Sequence, residues 1–324
     1  MRKLHPTQSE RRRQPPFSIA DLGAIAGVVA LVLCIFAFDR WMGPKRVGDA
    51  LGARTALVTF DRVSLGRTRL GPARLAGAWR LRSRDPRFGG LSALGFDRGS
   101  LLAITDAGAI VRLPLPRGGQ GLATIRELPA GPSDGRLKRN RDAEALLRDP
   151  AGRGWWVAFE RHHQLWLYDP AFTRAVGAPV QLPGRSWDVN GGVEAMAAAR
   201  DGLLLLVESG PSALLLRKGR LRPLRLSGQR GTLTDAVTLP GGGLLAIDRE
   251  LTPFGFRTRL VRLAQTRKGM AVVAAVRLPV RPIDNIEGIA AQPLVGGRTR
   301  LWLISDDDFQ LPYRTLLTAI DLPA

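Results

Sequence analysis

The chain has 324 residues, of which 45% are hydrophobic, and this composition excludes disorder of the whole chain because it supports a packed core. Its formal net charge of +20 gives a surface that attracts anions, but an aromatic content of only 6% and the lack of a recognisable nucleic-acid motif argue against DNA or RNA as a partner. The single cysteine, Cys34, excludes a disulfide bond within the chain.

The N-terminal part of the chain is predicted to be a basic cytoplasmic tail, residues 1–21, followed by a transmembrane anchor, residues 22–42. Residues 22–38 carry no charge, and at about 1.5 Å per helical residue they span ~26 Å, the short end of a membrane helix. Arginine and lysine residues precede this segment, so the positive-inside rule keeps the tail in the cytoplasm and exports the rest. We therefore expect a single-pass protein of the inner (cytoplasmic) membrane whose C-terminal domain lies in the periplasm.

A cleaved signal peptide is the alternative interpretation of the same segment. The apolar region of a signal peptide is usually about 7–15 residues long and closely precedes a small-x-small cleavage site. Here Asp39, Arg40 and Trp41 follow the apolar run, and the first plausible pair, Gly48 and Ala50, is distant. These flanks favour an uncleaved anchor, which a linker at residues 43–54 connects to a domain at residues 55–324.

Five segments of this domain share one pattern. In each, a polar residue inside a short apolar strand is followed by a glycine-containing turn and then by a strongly apolar strand with an acidic end. The segments are residues 89–106, 141–160, 191–209, 232–250 and 285–307. The polar residues are Ser92, Glu144, Glu194, Asp235 and Glu287, and the acidic ends are Asp106, Glu160, Glu208, Asp248 and Asp306. Successive polar residues are 52, 50, 41 and 52 positions apart, a period typical of propeller blades.

The repeats predict an all-β fold, a β-propeller, because the sheet of one blade buries both its faces only when other blades stack around an axis. Outer strands of the blades are predicted at residues 164–168, 213–217, 259–263 and 315–320. Residues 55–65 and 73–83 supply further strands, which either complete a sixth blade or close the ring by pairing with the C-terminal strand. We expect six blades, five of which are visible as repeats.

At these repeats the sequence resembles the family known as "esterase-like activity of phytase", a group of bacterial phytase-like propeller proteins. The segments that carry the resemblance are residues 88–94, 142–146 with 159–161, 190–195, 285–289 and 305–309. They follow one another in order over most of the domain. The resemblance implies a β-propeller and the hydrolysis of phosphate esters, although a fold alone does not establish an activity.

Three glutamates at equivalent places in the repeats, Glu144, Glu194 and Glu287, are the predicted catalytic carboxylates. Such places in a propeller face the central channel or its rim, where converging carboxylates can bind Ca²⁺, an ion that takes six to eight oxygen ligands. Further oxygen ligands for the metal are predicted from acidic residues at the blade ends. These are Asp106, Glu160, Asp306 and Asp307. Metal-assisted hydrolysis of phosphate esters requires such an ion to polarise water.

Two arginines that follow blade ends, Arg161 and Arg249, are predicted to hold an anionic substrate through paired hydrogen bonds. His162 is the predicted general base, with packing between blades as the alternative. The carboxylates also have a structural interpretation, in which each one accepts backbone N–H bonds from a neighbouring blade and fixes the spacing of the blades.

Two functions therefore remain open at the level of the sequence. The first is a membrane-anchored, Ca²⁺-assisted phosphoester hydrolase that acts on an anionic small molecule or envelope substrate. The second is a non-catalytic propeller that binds a ligand or protein of the cell envelope. The sequence contains no Walker A, HExxH, GxGxxG or EF-hand motif, which excludes the corresponding nucleotidase, zinc-protease, dinucleotide-binding and EF-hand classes.

Overall fold

The computed structural model describes residues 53–66, 69–133, 140–183, 191–208, 213–309 and 312–324. Residues 44–324 form a compact unit of their own. The tail and anchor predicted at residues 1–42 lie outside the described residues. Within the described ranges no helix has the length and apolar character needed to cross a bilayer.

The described residues form 22 β-strands and one short 3-10 turn, Val295–Gly297. Twenty of the strands fall into five four-stranded antiparallel units. Unit 1 contains β4 (Leu91–Asp97), β5 (Ser100–Thr105), β6 (Ala109–Pro114) and β7 (Gln120–Glu127). Unit 2 contains β8 (Ala143–Arg148), β9 (Trp155–Phe159), β10 (Gln164–Tyr168) and β11 (Val180–Gln181). Unit 3 contains β12 (Val193–Ala199), β13 (Gly202–Val207), β14 (Ala213–Arg217) and β15 (Arg220–Ser227).

The remaining two units complete the set. Unit 4 contains β16 (Thr232–Thr238), β17 (Leu244–Thr252), β18 (Gly255–Thr266) and β19 (Gly269–Arg277). Unit 5 contains β20 (Asn285–Pro293), β21 (Thr299–Asp306), β22 (Leu316–Leu322) and, from the other end of the domain, β3 (Ala73–Ser83). The two additional strands are β1 (Arg54–Arg62) and β2 (Arg69–Leu70).

The first strands of the five units line one axis. They lie side by side in the cyclic order β4, β8, β12, β16, β20 and back to β4. Each unit then continues outward through its remaining strands. This arrangement makes the molecule a propeller-like ring, with the strands that carry the repeat pattern closest to the axis.

Five buried apolar clusters fill the spaces between neighbouring units. The run Leu203–Leu206 of β13 shows why the second strand of a unit is apolar without interruption. Leu203 and Leu205 face the cluster shared with unit 2, whereas Leu204 and Leu206 face the cluster shared with unit 4. Because successive side chains of a strand point to opposite faces, a strand buried on both sides loses the usual polar alternation.

The ring is closed by a strand from the start of the domain. β3 pairs with the C-terminal strand β22, with Ala78 opposite Thr318. β1 lies between β3 and β7, so it joins the outer strands of units 5 and 1. A parallel pairing of β15 with β19 joins units 3 and 4 in a similar way.

Two expectations from the sequence are corrected here. The segments at residues 55–65 and 73–83 form no sixth unit within the described residues, because β3 completes unit 5 and β1 bridges its neighbour. The strands predicted at residues 164–168, 213–217, 259–263 and 315–320 are the third strands of their units rather than the outermost ones. The fourth strands are largely half-buried or exposed, so their apolar pattern is weak; β15, with the sequence RLRPLRLS, is an example.

Candidate functional site at the channel mouth

A β-bulge at one end of each first strand sets up the site. In every unit the pairing between the first and second strands skips one residue. The skipped residues are Ser92, Glu144, Glu194, Thr234 and Glu287. A bulge leaves its extra residue outside the ladder and redirects its side chain, so these five positions are equivalent around the axis.

A second equivalent set lies next to the bulges, just after the second strand, at its end or, for Arg249, within it. The backbone of each member is paired with the residue two positions before the bulge, as in Asp106 with Gly90 and Glu160 with Asp142. The members of this set are Asp106, Glu160, Glu208, Arg249 and Asp306. The two sets together place seven carboxylates and one guanidinium at the mouth of the central channel.

The register corrects the fourth repeat of the sequence pattern by one residue in each strand. The bulge residue is Thr234 rather than Asp235, and the equivalent of the acidic ends is Arg249 rather than Asp248. Both aspartates are fully buried. Asp248 accepts backbone hydrogen bonds from Arg230 (3.1 Å) and Gly231 (2.9 Å), so it holds a loop together.

Asp235 has a structural role at the axis itself. Its carboxylate accepts backbone N–H bonds from Ala236 (2.8 Å), from Ile289 of unit 5 (2.7 Å) and from Leu94 of unit 1 (3.4 Å). Burial raises the pKa of Asp235 well above its usual value, against the effect of these donors. One carboxyl group thus connects three units, as the structural interpretation of the acidic residues expects.

The remaining carboxylates gather into three groups with oxygen atoms within 4.8 Å of one another. The groups are Asp106 with Asp306 and Asp308, Asp142 with Glu144 and Glu160, and Glu160 with Glu194 and Glu208. Glu160 belongs to two of them, so units 2 and 3 share one continuous acidic cluster. The structure therefore brings together five of the sequence-predicted residues in two places at the mouth: Glu144, Glu160 and Glu194 in one cluster and Asp106 with Asp306 in another.

Burial and mutual repulsion hold several of these groups in their protonated form. Desolvation, followed by the charges of Asp142 and Glu194, raises the pKa of Glu160 to about 9. Desolvation and the charge of Glu208 raise the pKa of Glu194 to about 8. The pKa of Glu144 lies well above its usual value, mainly through desolvation. Like charges at short range do not ionise together, so this cluster demands protons or a cation.

Burial and like charges also affect the pKa of Asp306, which belongs to the other acidic group. Desolvation and the charges of Glu287 and Asp106 raise its pKa well above the usual value. Gly90 gives this group its space, because its φ of +58° suits glycine and a Cβ atom there would lie 2.5 Å from Oδ1 of Asp106. The tight turn before β4 is thus shaped by the carboxylate beneath it.

Arg249 belongs to unit 4, so it lies between the acidic cluster of units 2 and 3 and the acidic group of units 1 and 5. Its guanidinium donates to Glu287 and to Asn285, and it stacks over Phe256 at 4.9 Å. Burial lowers the pKa of Arg249, but the carboxylates of Glu287 and Glu194 outweigh it and raise the pKa above its usual value. Arg161, on unit 2, donates from Nε to Asp142 at 3.1 Å. Both predicted substrate-binding arginines lie at the mouth, and both are ion-paired there.

Asp307 does not join the acidic groups that the structure describes. Its Oδ1 accepts backbone N–H bonds from Gly90 (2.9 Å) and Phe309 (3.2 Å), and its Oδ2 accepts the Thr315 hydroxyl at 2.8 Å. Asp308 takes the place expected for Asp307, because the turn after β21 points its carboxylate toward Asp106 and Asp306.

His162 follows Arg161 in the turn between β9 and β10. Burial and then the charges of Arg141 and Arg161 lower its pKa, so its imidazole is neutral at physiological pH. None of the acidic groups found among the described residues includes a histidine.

The sequence pattern missed Asp142 and Asn285 as members of the mouth. They occupy the same position, two residues before the bulge glutamate of each unit, so that Asp142 directly precedes β8 and Asn285 is the first residue of β20. The signal was present, since a polar residue stands two positions before Glu144 and Glu287 in both repeats. The equivalence of these two polar residues becomes clear only when the bulge defines the register of each strand pair.

Three solved structures illustrate the folds to which the chain is similar. Glutaminyl cyclase from Myxococcus xanthus has a TM-score of 0.47 and 12% identity, over 78% of this chain and 97% of that one. Streptogramin B lyase has a TM-score of 0.40 and 10% identity, over 83% of this chain and 98% of that one. A luciferin-regenerating enzyme has a TM-score of 0.42 and 9% identity, over 72% of this chain and 92% of that one. A search of curated proteins gives no match.

A family profile covers most of the propeller-like domain. The profile is that of the phytase-like family, described as esterase-like activity of phytase, and it matches residues 86–309. The match begins just before β4 and ends after Asp308, so it contains all five bulges and all three acidic groups. The chain therefore belongs to the phytase-like family.

Proposed function

We propose that the protein is a metal-assisted hydrolase of phosphoric esters whose active centre is the channel mouth. The observation that carries the proposal is the acidic cluster shared by units 2 and 3. Five carboxylates converge there, and the structure shows Arg161 ion-paired with one of them, Asp142. A family whose name refers to phytase makes phosphate esters the substrate class to test first.

The cluster fits a hard divalent cation such as Ca²⁺. Its donors are all carboxylate oxygens, the ligands that Ca²⁺ prefers. No hydrogen bond or ion pair engages the side chains of Glu144 and Glu194 among the described residues, which leaves their oxygens available. Burial and the charges of neighbouring carboxylates raise the pKa of Glu160 to about 9 and that of Glu194 to about 8, and they outweigh the nearby charges of Arg161 and Arg249. Glu144, Glu160 and Glu194 are the residues that would hold the ion.

The roles of the other residues follow from their positions. A bound Ca²⁺ supplies a Lewis acid that polarises water and neutralises phosphate oxygens. Arg161 and Arg249 lie on two sides of the mouth, where they can exchange their carboxylate partners for the oxygens of an anionic substrate. His162, neutral at physiological pH, can accept a proton from the attacking water. Glu287 orients Arg249 through their ion pair.

The proposed location is the periplasmic side of the inner membrane, with the N-terminal helix as anchor. The support is the uncharged segment at residues 22–38 and the basic residues before it. Alkaline phosphatase fused after Ala324 tests this topology. Activity of the fusion in intact cells is expected, whereas an inactive fusion of full length would contradict the export of the domain.

The activity is tested with the purified full-length chain in detergent. Equilibrium dialysis against Ca²⁺ is expected to show stoichiometric binding, and phosphate release from myo-inositol hexakisphosphate and p-nitrophenyl phosphate is expected to depend on the ion. Glu144→Gln and Glu194→Gln should each weaken Ca²⁺ binding at least tenfold and abolish release. Glu250→Gln, in an exposed ion pair with Arg257, is the matched control. Unchanged binding in the Glu144 and Glu194 variants would reject the proposed centre.

A second candidate function is ligand binding without turnover. The observation that favours it is that Arg161 and Arg249 are both paired with carboxylates in the structure. An arginine held in an ion pair is compatible with a rigid ligand-binding site as well as with binding of a substrate that is then hydrolysed. Stoichiometric Ca²⁺ binding with no phosphate release across the panel of esters would select this function.

A further inference from the structure

We propose that a cleft beside the channel mouth is an anion-binding site for a small ligand with a phosphate or carboxylate group. The cleft has a volume of about 380 Å³ and lies between the end of β3 and the turn after β21. Four arginines line it: Arg80, Arg82, Arg84 and Arg314. It contains none of the residues that the proposed function assigns to the metal or the substrate, and Asp307, a metal ligand only in the sequence-based prediction, is the one earlier candidate that lines it. The inference therefore goes beyond the proposed function.

The arrangement of three of these arginines follows from strand geometry. Arg80 and Arg82 are two residues apart on β3, and Arg84 continues the same spacing past its end. Alternate residues of a strand point to one face about 6.6–6.8 Å apart. Repulsion between the guanidinium groups of the cleft is relieved where an acidic side chain or an anion lies beside them, and the cleft provides the space for an anion.

Two of the four arginines already have acidic partners. Arg82 pairs with Asp61 at 2.6 Å, in an exposed ion pair on β1. Arg314 makes two hydrogen bonds to the buried Asp284, at 2.7 and 2.9 Å. Arg80 and Arg84 have no ion pair within the part of the chain that the structure describes. The positive charges of these two guanidinium groups are therefore available to bind a ligand.

The acidic residues of the cleft do not neutralise the remaining arginines. Asp85 is held by Arg87 through contacts of 2.7 and 3.0 Å, and this side-chain hydrogen bonding lowers the pKa of Asp85. Asp307 uses its two oxygens to accept the bonds from Gly90, Phe309 and Thr315. Each acid is thus engaged elsewhere, and the cleft keeps an excess of positive charge.

The walls of the cleft define the rest of the ligand. Phe88, Phe309 and Leu81 supply apolar surface, and Tyr313 adds a phenol beside the arginines. Planar guanidinium groups form paired hydrogen bonds with phosphate and carboxylate oxygens, which a lysine does not reproduce. The site therefore suits an organic phosphate or carboxylate whose anionic group contacts Arg80 and Arg84 while its carbon skeleton lies against the aromatic rings.

The test uses isothermal titration of the full-length chain at fixed ionic strength after metal ions have been removed on a chelating resin, so that no metal site contributes and no chelator competes with the probes. The probes are inorganic phosphate and, separately, glutarate. Saturable binding of at least one probe is expected. The double substitution Arg80→Gln/Arg84→Gln should weaken that binding at least tenfold. Phosphate binding alone assigns a phosphate ligand, and glutarate binding alone assigns a carboxylate ligand.

The control is Arg262→Gln/Arg267→Gln, which removes the same charge from exposed positions of β18 and the turn after it. It should leave the affinity within twofold of the unsubstituted chain. Equal weakening in the two double variants, or no saturable binding of either probe, would overturn the proposal. If Arg80→Gln/Arg84→Gln does not fold, Arg80→Lys/Arg84→Lys keeps the charge, and an unchanged affinity in that variant would equally reject guanidinium recognition. Since metal ions are absent from this titration, failure here is separate from failure of the hydrolase proposal.

Discussion

The guanidinium of Arg249 illustrates how a single residue decides the charge balance of the mouth. It is the only basic member of the ten equivalent positions around the axis in the described units, and it is ion-paired with Glu287 where each side chain is 15% exposed. A buried charge that loses its partner costs more than an exposed one, because it cannot be hydrated fully.

We expect Arg249→Gln to lower the free energy of unfolding by about 3 kcal/mol, because it leaves the carboxylate of Glu287 without its cation. Arg257→Gln should lower it by less than about 1 kcal/mol, since the pair with Glu250 is long and exposed. The two arginines lie on the same β17–β18 hairpin. The exposed pair, Arg257 with Glu250, has an N–O distance of 3.4 Å. Urea unfolding followed by far-UV circular dichroism measures both, and equal effects would contradict the buried pair.

Asp235 makes a second prediction at the scale of one side chain. Asp235→Ala removes the acceptor for the N–H groups of Ala236, Ile289 and Leu94, and we expect a loss of about 2–3 kcal/mol in the free energy of unfolding. Asp235→Asn keeps one acceptor oxygen and should lose less. Asp201→Ala, in an exposed turn, is the control. We expect the Asp235→Ala variant to have a lower thermal unfolding midpoint than the Asp235→Asn variant. The reverse order would argue against the hydrogen-bonding role.

The inner strands show how closely the units approach one another at the axis. Gly288 of β20 occupies the position that Ala93, Ala145, Ala195 and Asp235 occupy in the other units. A Cβ atom there would lie 2.7 Å from Cγ2 of Ile304 and 2.9 Å from Cβ of Leu94. Glycine or alanine fills four of these five positions, and at the fifth the carboxylate of Asp235 accepts backbone N–H bonds from the neighbouring strands.

Gly288→Ala should therefore lower the free energy of unfolding by about 1–3 kcal/mol, because the added methyl group overpacks the axis. Gly241→Ala is the matched control, since a Cβ atom at Gly241 meets nothing within 4 Å. Differential scanning calorimetry of the two variants provides the comparison. A midpoint for the Gly288 variant equal to that of the control would mean that the axis can expand at no cost.

The repeat pattern predicted the elements of the ring well. The strand at residues 164–168 and the strand at residues 213–217 have the predicted bounds, and the bulge glutamates Glu144, Glu194 and Glu287 are equivalent as expected. These features repeat because each unit buries its inner strands in the same way, through antiparallel pairing of strands that are close in sequence. Such local pairing produces a short-range pattern in the sequence.

The features that the sequence did not predict depend on contacts between distant residues. The register of the fourth repeat was wrong by one position, since Thr234 and Arg249 break the acidic pattern while Asp235 and Asp248 imitate it from neighbouring positions. The closing strand β3 pairs with residues more than two hundred positions away. No periodicity within β3 specifies that partner, so a sixth unit and a closing strand were equally compatible with its apolar residues.

The whole molecule combines a strongly basic surface with an acidic channel mouth, and this contrast predicts how stability depends on pH. Glu160 and Glu194 have pKa values of about 9 and about 8 in the folded state, well above those of exposed glutamates. Between pH 7 and pH 9 the folded protein therefore binds more protons than the unfolded chain, and stability decreases as pH rises. His162 and His163 oppose this trend only below about pH 6.5, because their pKa values are lowered on folding.

We expect the metal-free protein to unfold at a lower temperature at pH 9 than at pH 7. Millimolar Ca²⁺ should reverse most of this loss, since a cation that binds the folded state replaces the missing protons. Thermal unfolding in EDTA and in CaCl₂ across this range measures both effects. A midpoint that rises from pH 7 to pH 9 in EDTA would contradict the charge repulsion assigned to the mouth. Magnesium is a useful comparison, because its smaller octahedral shell suits the crowded carboxylates less well.

The pairing of β3 with β22 links the order of synthesis to the completion of the domain. Ala73–Ser83 is synthesised early, whereas its partner Leu316–Leu322 is the last described strand of the domain in chain order. One flank of β3 consequently stays open until β22 has been synthesised. Open flanks recruit other chains, so a chain that lacks β22 is expected to aggregate more readily than the whole domain. Formation of the β3–β22 pair is thus the step that closes the ring.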